Sequence, residues 1–193
     1  STNNNTDAAG GTWNPTITYS GTAATFAADS TNTFTATSQA SGIVTLTTVI
    51  NFGAAADTGI TVDSDAKGAI RVAEESGNVF QLLTKVDGTS AWRTVSGAAP
   101  DFENASTVEF TFDTAAQTYS VKVGENRLYV TENETSVYDF PFASAGDTIG
   151  AVKYIGAGTF TSLAGAYSTT NIMSSVGGAN IVIPADFISR HLP

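Results

Sequence analysis

Between residues 63 and 74 the chain reads D-S-D-A-K-G-A-I-R-V-A-E, a stretch whose residue types are spaced for cation chemistry. It meets the calcium-loop pattern D-x-D-x-[DN]-G-x-I-x-x-x-E at five of its six characteristic places. In this reading Asp63, Asp65 and Glu74 supply carboxylate oxygens to Ca²⁺, and Gly68 makes the sharp turn. Lys67 brings a positive charge where a ligand belongs, and no helical periodicity flanks the loop. The other reading is a plain D-A-K-G turn entering a strand over 69–73. Ca²⁺ is the one cofactor the chain suggests. Asp101, Glu103 and Asn104 form a second acidic cluster with a weaker claim.

Catalytic combinations are harder to find. Glu74 and Glu75 are adjacent, so a strand would send them to opposite faces. Glu132 and Glu134 are two apart but sit in a turn-like T-E-N-E-T segment. The single histidine, His191, lies in the tail, and there is no cysteine, hence no thiolate nucleophile, thiolate metal site or disulfide. The chain is expected not to be an enzyme. Aromatic residues offer another chemistry, stacking on sugars. Trp13, Tyr119, Tyr138, Tyr154 and Tyr167 mostly follow strand alternation and read as packing residues. Trp92 and Tyr129 are the ligand-binding candidates, Tyr129 because it points outward if Leu128 and Val130 point inward. Asn4, Asn104 and Asn133 open N-x-[ST] sequons.

The elements that must carry these residues are strands. T-V-E-F-T-F over 107–112 puts Val108, Phe110 and Phe112 on one face. After D-T-A-A-Q, Tyr119, Val121 and Val123 alternate with Ser120 and Lys122. Glu109 and Lys122 stand out as isolated outward charges with no second carboxylate in strand register. Further strands are expected at 16–19, 24–26, 33–37, 43–52, 60–62, 69–73, 79–85, 91–95, 136–140, 149–155, 159–163 and 181–183. Asp87-Gly88 reads as a hairpin turn. Short strands at this spacing, in a chain of 193 residues, predict one all-β domain. The fold class is an antiparallel β-sandwich of jelly-roll type. Little helix is expected, except a short one within 184–192.

Composition narrows the partners. Only 13% of residues are charged, and the net charge is −10, with eight Lys and Arg spread thinly. That balance argues against nucleic acid and anionic membrane surfaces. No stretch approaches the roughly 20 apolar residues of a membrane span, so no membrane insertion is expected. The Thr, Ser, Ala and Gly bias suits secreted or cell-surface β-proteins. A chain beginning at Ser1 is what signal-peptide removal would leave, and trimming would leave it too. The domain reading is a leader or intersubunit strand over 1–15, a sandwich over 16–183, and a tail or junction over 184–193.

F-T-F-D-T-A-A-Q-T-Y-S-V-K-V-G-E-N-R-L, followed by Y-I-G-A-G-T-F-T-S-L-A-G-A-Y, resembles laminin-G-like modules of the concanavalin-A-like jelly-roll class. Trp92, in A-W-R-T-V, stands where such modules often carry a strand aromatic. The resemblance covers about residues 40–168. It implies a module of a bacterial or archaeal extracellular surface protein that binds glycans or proteins or acts as a spacer. Its glycan-hydrolysing branch carries E-x-D-x-x-E on one strand, which this chain lacks. The expectation is a non-catalytic structural or adhesive surface protein. It would self-associate into a filament or layer through its terminal segments, or bind other surface proteins. The alternative is a lectin-like carbohydrate-binding module with glycan partners.

Overall fold

The computed structural model describes residues 12–14, 18–20, 23–26, 30–38, 42–52, 57–73, 79–156, 158–162, 170–176 and 179–184. All regular structure in them is β. The strands are β1 (Thr12–Asn14), β2 (Thr18–Ser20), β3 (Ala23–Phe26), β4 (Ser30–Ser38), β5 (Gly42–Asn51), β6 (Gly59–Val62), β7 (Gly68–Val72), β8 (Phe80–Val86), β9 (Thr89–Thr94) and β10 (Ser106–Asp113). They continue with β11 (Thr118–Val123), β12 (Asn126–Arg127), β13 (Val130–Glu132), β14 (Thr135–Val137), β15 (Phe140–Pro141), β16 (Thr148–Ile155), β17 (Gly158–Ser162), β18 (Thr170–Val176) and β19 (Ala179–Pro184).

Two antiparallel sheets form the layers. One runs β1-β4-β16-β6-β7-β8-β9. The other runs β12-β11-β10-β5-β17-β3-β2, with β15 beside β11 and the β18–β19 hairpin joined to β5 through β18. A separate β13–β14 hairpin completes the set. The fold is therefore the all-β antiparallel sandwich that the alternation predicts.

Alternation explains which face turns inward. In β10 and β11, Val108, Phe110, Phe112, Tyr119, Val121 and Val123 are buried, while Glu109, Thr111, Ser120 and Lys122 between them are not. Ile60, Val62, Ile70, Val72, Phe80, Leu82, Val152 and Tyr154 answer from the seven-stranded sheet. Phe110 and Phe112 stack 5.8 Å apart, and Tyr119 packs on Phe112 and Phe140 at 6.1 and 5.8 Å. Each such ring contributes about 1.5–3 kcal/mol through burial alone.

Two tyrosines pin the layers at fixed points. The hydroxyls of Thr48 and Tyr154 share a hydrogen bond of 2.8 Å between β5 and β16. The fully buried Tyr119 hydroxyl donates to the Leu83 carbonyl at 2.5 Å, and burial pushes its pKa up. Gly68 makes room for this ring: a Cβ there would lie 2.9 Å from it. The Gly68 expected for a calcium turn is thus needed for packing.

The turns follow their residues. Asp87 and Gly88 both take positive φ, 51° and 77°, as a two-residue hairpin requires. Asp113 Oδ1 accepts from the Ala115 and Ala116 amides at 3.0 and 2.9 Å, which closes the β10–β11 turn. Some expectations shift. The strand expected over 136–140 divides into β14 and β15. Thr12–Asn14, expected in the leader, pair with β4 of the same chain. Pro184 ends β19. The remainder of the expected helix, with Asp186 and His191, lies outside the described residues, as do the rest of the leader, Tyr167 and Asn4.

Candidate functional site

The outer face of the ten-stranded sheet carries an open cluster of polar and charged side chains. Register pairs Glu109 of β10 with Lys122 of β11, and Lys122 with Arg127 of β12. Thr111 pairs with Ser120 one step along. Residues opposite one another across a ladder share a face. These five side chains therefore line one depression of about 290 Å³. Glu109 and Lys122 are 13 positions apart in sequence and directly opposite in space, so neither is isolated.

Arg127 ties this depression to Tyr129 and Tyr138. Its guanidinium lies 5.0 Å from the centre of the Tyr138 ring, and Nη2 reaches Asp139 Oδ1 at 3.2 Å. Tyr138 in turn packs against Tyr129, with ring centres 5.4 Å apart. Leu128 and Val130 are buried, and Tyr129 between them is only partly so, as the alternation predicts. The Tyr129 backbone is fixed by paired hydrogen bonds to Ser96, at 2.8 and 2.9 Å. Gly97, at φ 112°, permits that approach: a Cβ there would meet the Arg127 carbonyl oxygen at 2.4 Å.

Trp92 belongs to a different cluster, on the outer face of the seven-stranded sheet. It stands opposite Leu83 on β9. The Arg71 guanidinium covers its ring at 4.1 Å, Arg71 Nε donates to Gln81 Oε1 at 3.0 Å, and Nη1 lies 3.5 Å from Asp57 Oδ1. The Arg71 side chain is only 24% exposed. One face of Trp92 is thus already taken by a cation of the same chain. The two aromatic candidates do not share a cluster.

The 63–74 segment is built as a clamp. Asp63, Ser64 and Asp65 take positive φ in succession. Asp63 Oδ1 accepts from the Gly150 and Ala151 amides, at 3.0 and 2.9 Å, where the register of β16 shifts. Oδ2 is buried without a partner. Burial raises the Asp63 pKa, against the two amide hydrogen bonds and the positive charge of Lys67. Asp65 points to solvent and Glu74 lies outside the described residues. Among the described residues, no three His, Cys, Asp or Glu converge as a metal cluster. The Lys67 that breaks the calcium pattern is buried and reaches the Ser144 carbonyl at 3.5 Å.

Asp101 and Glu132 have local partners. Asp101 accepts from the amides of Glu103 and Asn104, both at 2.9 Å, and from Asn104 Nδ2, and these bonds lower its pKa. Glu132 forms an ion pair with Arg93. Glu134 sits with Asn133 in the β13–β14 turn, both at positive φ, and both are exposed. The depression was not predicted from sequence. Its signal was the period-two alternation of Glu109 with Thr111 and of Ser120 with Lys122, which needed the β10–β11 register to become a site.

No protein-family model matches the chain, and a search of curated protein sequences finds no match. Among solved structures it is similar to a carbohydrate-binding module, CBM66, from Bacillus subtilis. The TM-score is 0.45 and the identity 16%, over 79% of this chain and 89% of that one. It is also similar to part of a sialidase, with a TM-score of 0.43 and 14% identity over 69% of this chain. The chain spans 10% of that sialidase's length.

Proposed function

We propose that this domain is a non-catalytic, lectin-like module that binds glycans at the depression on the ten-stranded sheet, as part of an extracellular protein. One observation carries the reading: Glu109, Thr111, Ser120, Lys122 and Arg127 converge from three adjacent strands on one open concavity. Hydroxyl-rich ligands need such a mixture. Glu109 accepts, Lys122 and Arg127 donate, and the Thr and Ser hydroxyls do either. The site rests on paired strands, which hold donor and acceptor positions without a cost in ordering loops.

The test is an NMR titration of ¹⁵N-labelled protein against a set of oligosaccharides. Glycan binding should shift the amides of Glu109, Ser120, Lys122 and Arg127 in a saturable way. Saturable shifts confined to other surfaces, or none for any glycan, would refute the assignment.

A further inference from the structure

We infer that the depression selects uncharged, hydroxyl-rich sugars and rejects acidic ones. This inference rests on the glycan-binding reading. Its basis is the charge arithmetic of the site. Lys122 and Arg127 contribute two positive charges, Glu109 and Asp139 two negative ones, and the cluster sums to zero. Arg127 is already neutralised by Asp139 at 3.2 Å. Arg127 keeps N–H donors for a ligand but shares its charge with Asp139, so the charge a ligand carboxylate would seek is that of Lys122, and Glu109 stands directly opposite Lys122 across the ladder.

A sugar carboxylate drawn to Lys122 would have to sit beside Glu109. That juxtaposition of like charges opposes binding. A neutral sugar meets no such conflict. One hydroxyl donates to Glu109 while its neighbour accepts from Lys122, and both hydrogen bonds are charge-assisted. Beyond the site the chain carries a net charge of −10, which repels an approaching polyanion at low salt.

The aromatic residues at the rim point the same way. Tyr138 contacts both the Arg127 guanidinium and the Tyr129 ring, at 5.0 and 5.4 Å between centres, so it is engaged in holding Arg127 in place. Recognition falls on the hydrogen-bonding groups of the floor, where Thr111 and Ser120 lie one step along from the charged pair. Discrimination through paired polar groups is the kind that excludes a wrongly charged analogue most strongly.

The test is a calorimetric titration with neutral gluco-, manno- and galacto-oligosaccharides and, separately, with oligogalacturonate, each mapped by amide shifts. At least one neutral probe is expected to bind at the depression with little dependence on salt, while oligogalacturonate does not compete. Glu109→Gln should weaken the neutral probe by about tenfold, the factor that a lost 1.4 kcal/mol represents. Glu109→Lys should lose the neutral probe and gain salt-sensitive binding of oligogalacturonate. Glu109 is surface-facing, and an unchanged melting temperature shows that both variants fold. Oligogalacturonate binding the parent as tightly as any neutral probe would overturn the charge inference and leave the glycan reading standing. So would Glu109→Lys binding neutral probes like the parent. If no probe of either class shifts the depression, the glycan reading falls and takes the inference with it.

Discussion

Arg71 and Arg127 each lie over an aromatic ring and each reach a carboxylate, yet their surroundings give them opposite roles. Arg71 is 24% exposed and held by three groups: Trp92 beneath it, Gln81 on Nε, and Asp57 Oδ1 3.5 Å from Nη1. Arg127 is 48% exposed, and its partner Asp139 is 67% exposed. The same trio of groups is a rivet in one sheet and the wall of a depression in the other. What separates them is water. Where less solvent enters, breaking the trio takes the cation from beside a shielded carboxylate oxygen, although the Asp57 side chain as a whole is 42% exposed. Where solvent enters, the trio can exchange a protein partner for a ligand.

The largest expected effect tests the rivet. Arg71→Ala should destabilise the fold by about 2 kcal/mol, because it removes a charged hydrogen bond and leaves the shielded Asp57 Oδ1 facing no cation. Chemical denaturation measures it, and a loss no greater than that from Arg127→Ala would break the contrast. Next, Arg127→Ala should cost less than about 1 kcal/mol of stability, as exposed ion pairs do. It should also weaken glycan binding by about tenfold, which calorimetry reads directly. A smaller effect separates the two pairs by salt. In double-mutant cycles the Arg71–Trp92 coupling should persist at high ionic strength, whereas Arg127–Asp139, worth about 0.2–1 kcal/mol, should fade.

A carboxylate away from both clusters gives the smallest change. Burial raises the folded pKa of Asp63 above its unfolded value of 3.8. Its titration therefore favours the fold most below that value, and this contribution is lost as pH rises through the folded pKa. Asp63→Asn keeps an oxygen for the Gly150 and Ala151 amides and tolerates the positive φ of 51°. It should raise the melting temperature modestly at neutral pH and leave it nearly unchanged near pH 3. A lower melting temperature at neutral pH would show that the charge of Asp63 is needed by the buried Lys67.

Strand identity was legible wherever large apolar residues alternate with Thr, Ser or charge. Val108-Glu109-Phe110-Thr111-Phe112 can bury one face only one way, and it does. β18, T-N-I-M-S-S-V, was missed because its small polar residues set no period. The candidate site was less legible for a physical reason. Alternation tells which way a side chain points, whereas a site needs register, and register is decided by strands far apart in sequence. Glu109 and Lys122 looked like lone charges until β11 was laid against β10. Trp92 showed the converse. Its place on a strand was readable, but the arginine two strands away that occupies its face was not.

β5 carries a consequence for how the molecule forms. Among the described residues its partners are β10, β17 and β18, none of which begins before Ser106. β16 likewise closes between β4 and β6 across more than 80 intervening residues. During synthesis β5 therefore waits through the 54 residues of 52–105 before β10 can pair with it. Folding dominated by such distant pairings runs on millisecond-to-second timescales, and exposed strand edges invite aggregation meanwhile. Thr45, Thr47 and Thr48 interrupt the Val, Leu and Ile of β5. Thr45 and Thr47 lie on its outer face and lower the apolar character of the strand there, while Thr48 faces the core and bonds Tyr154.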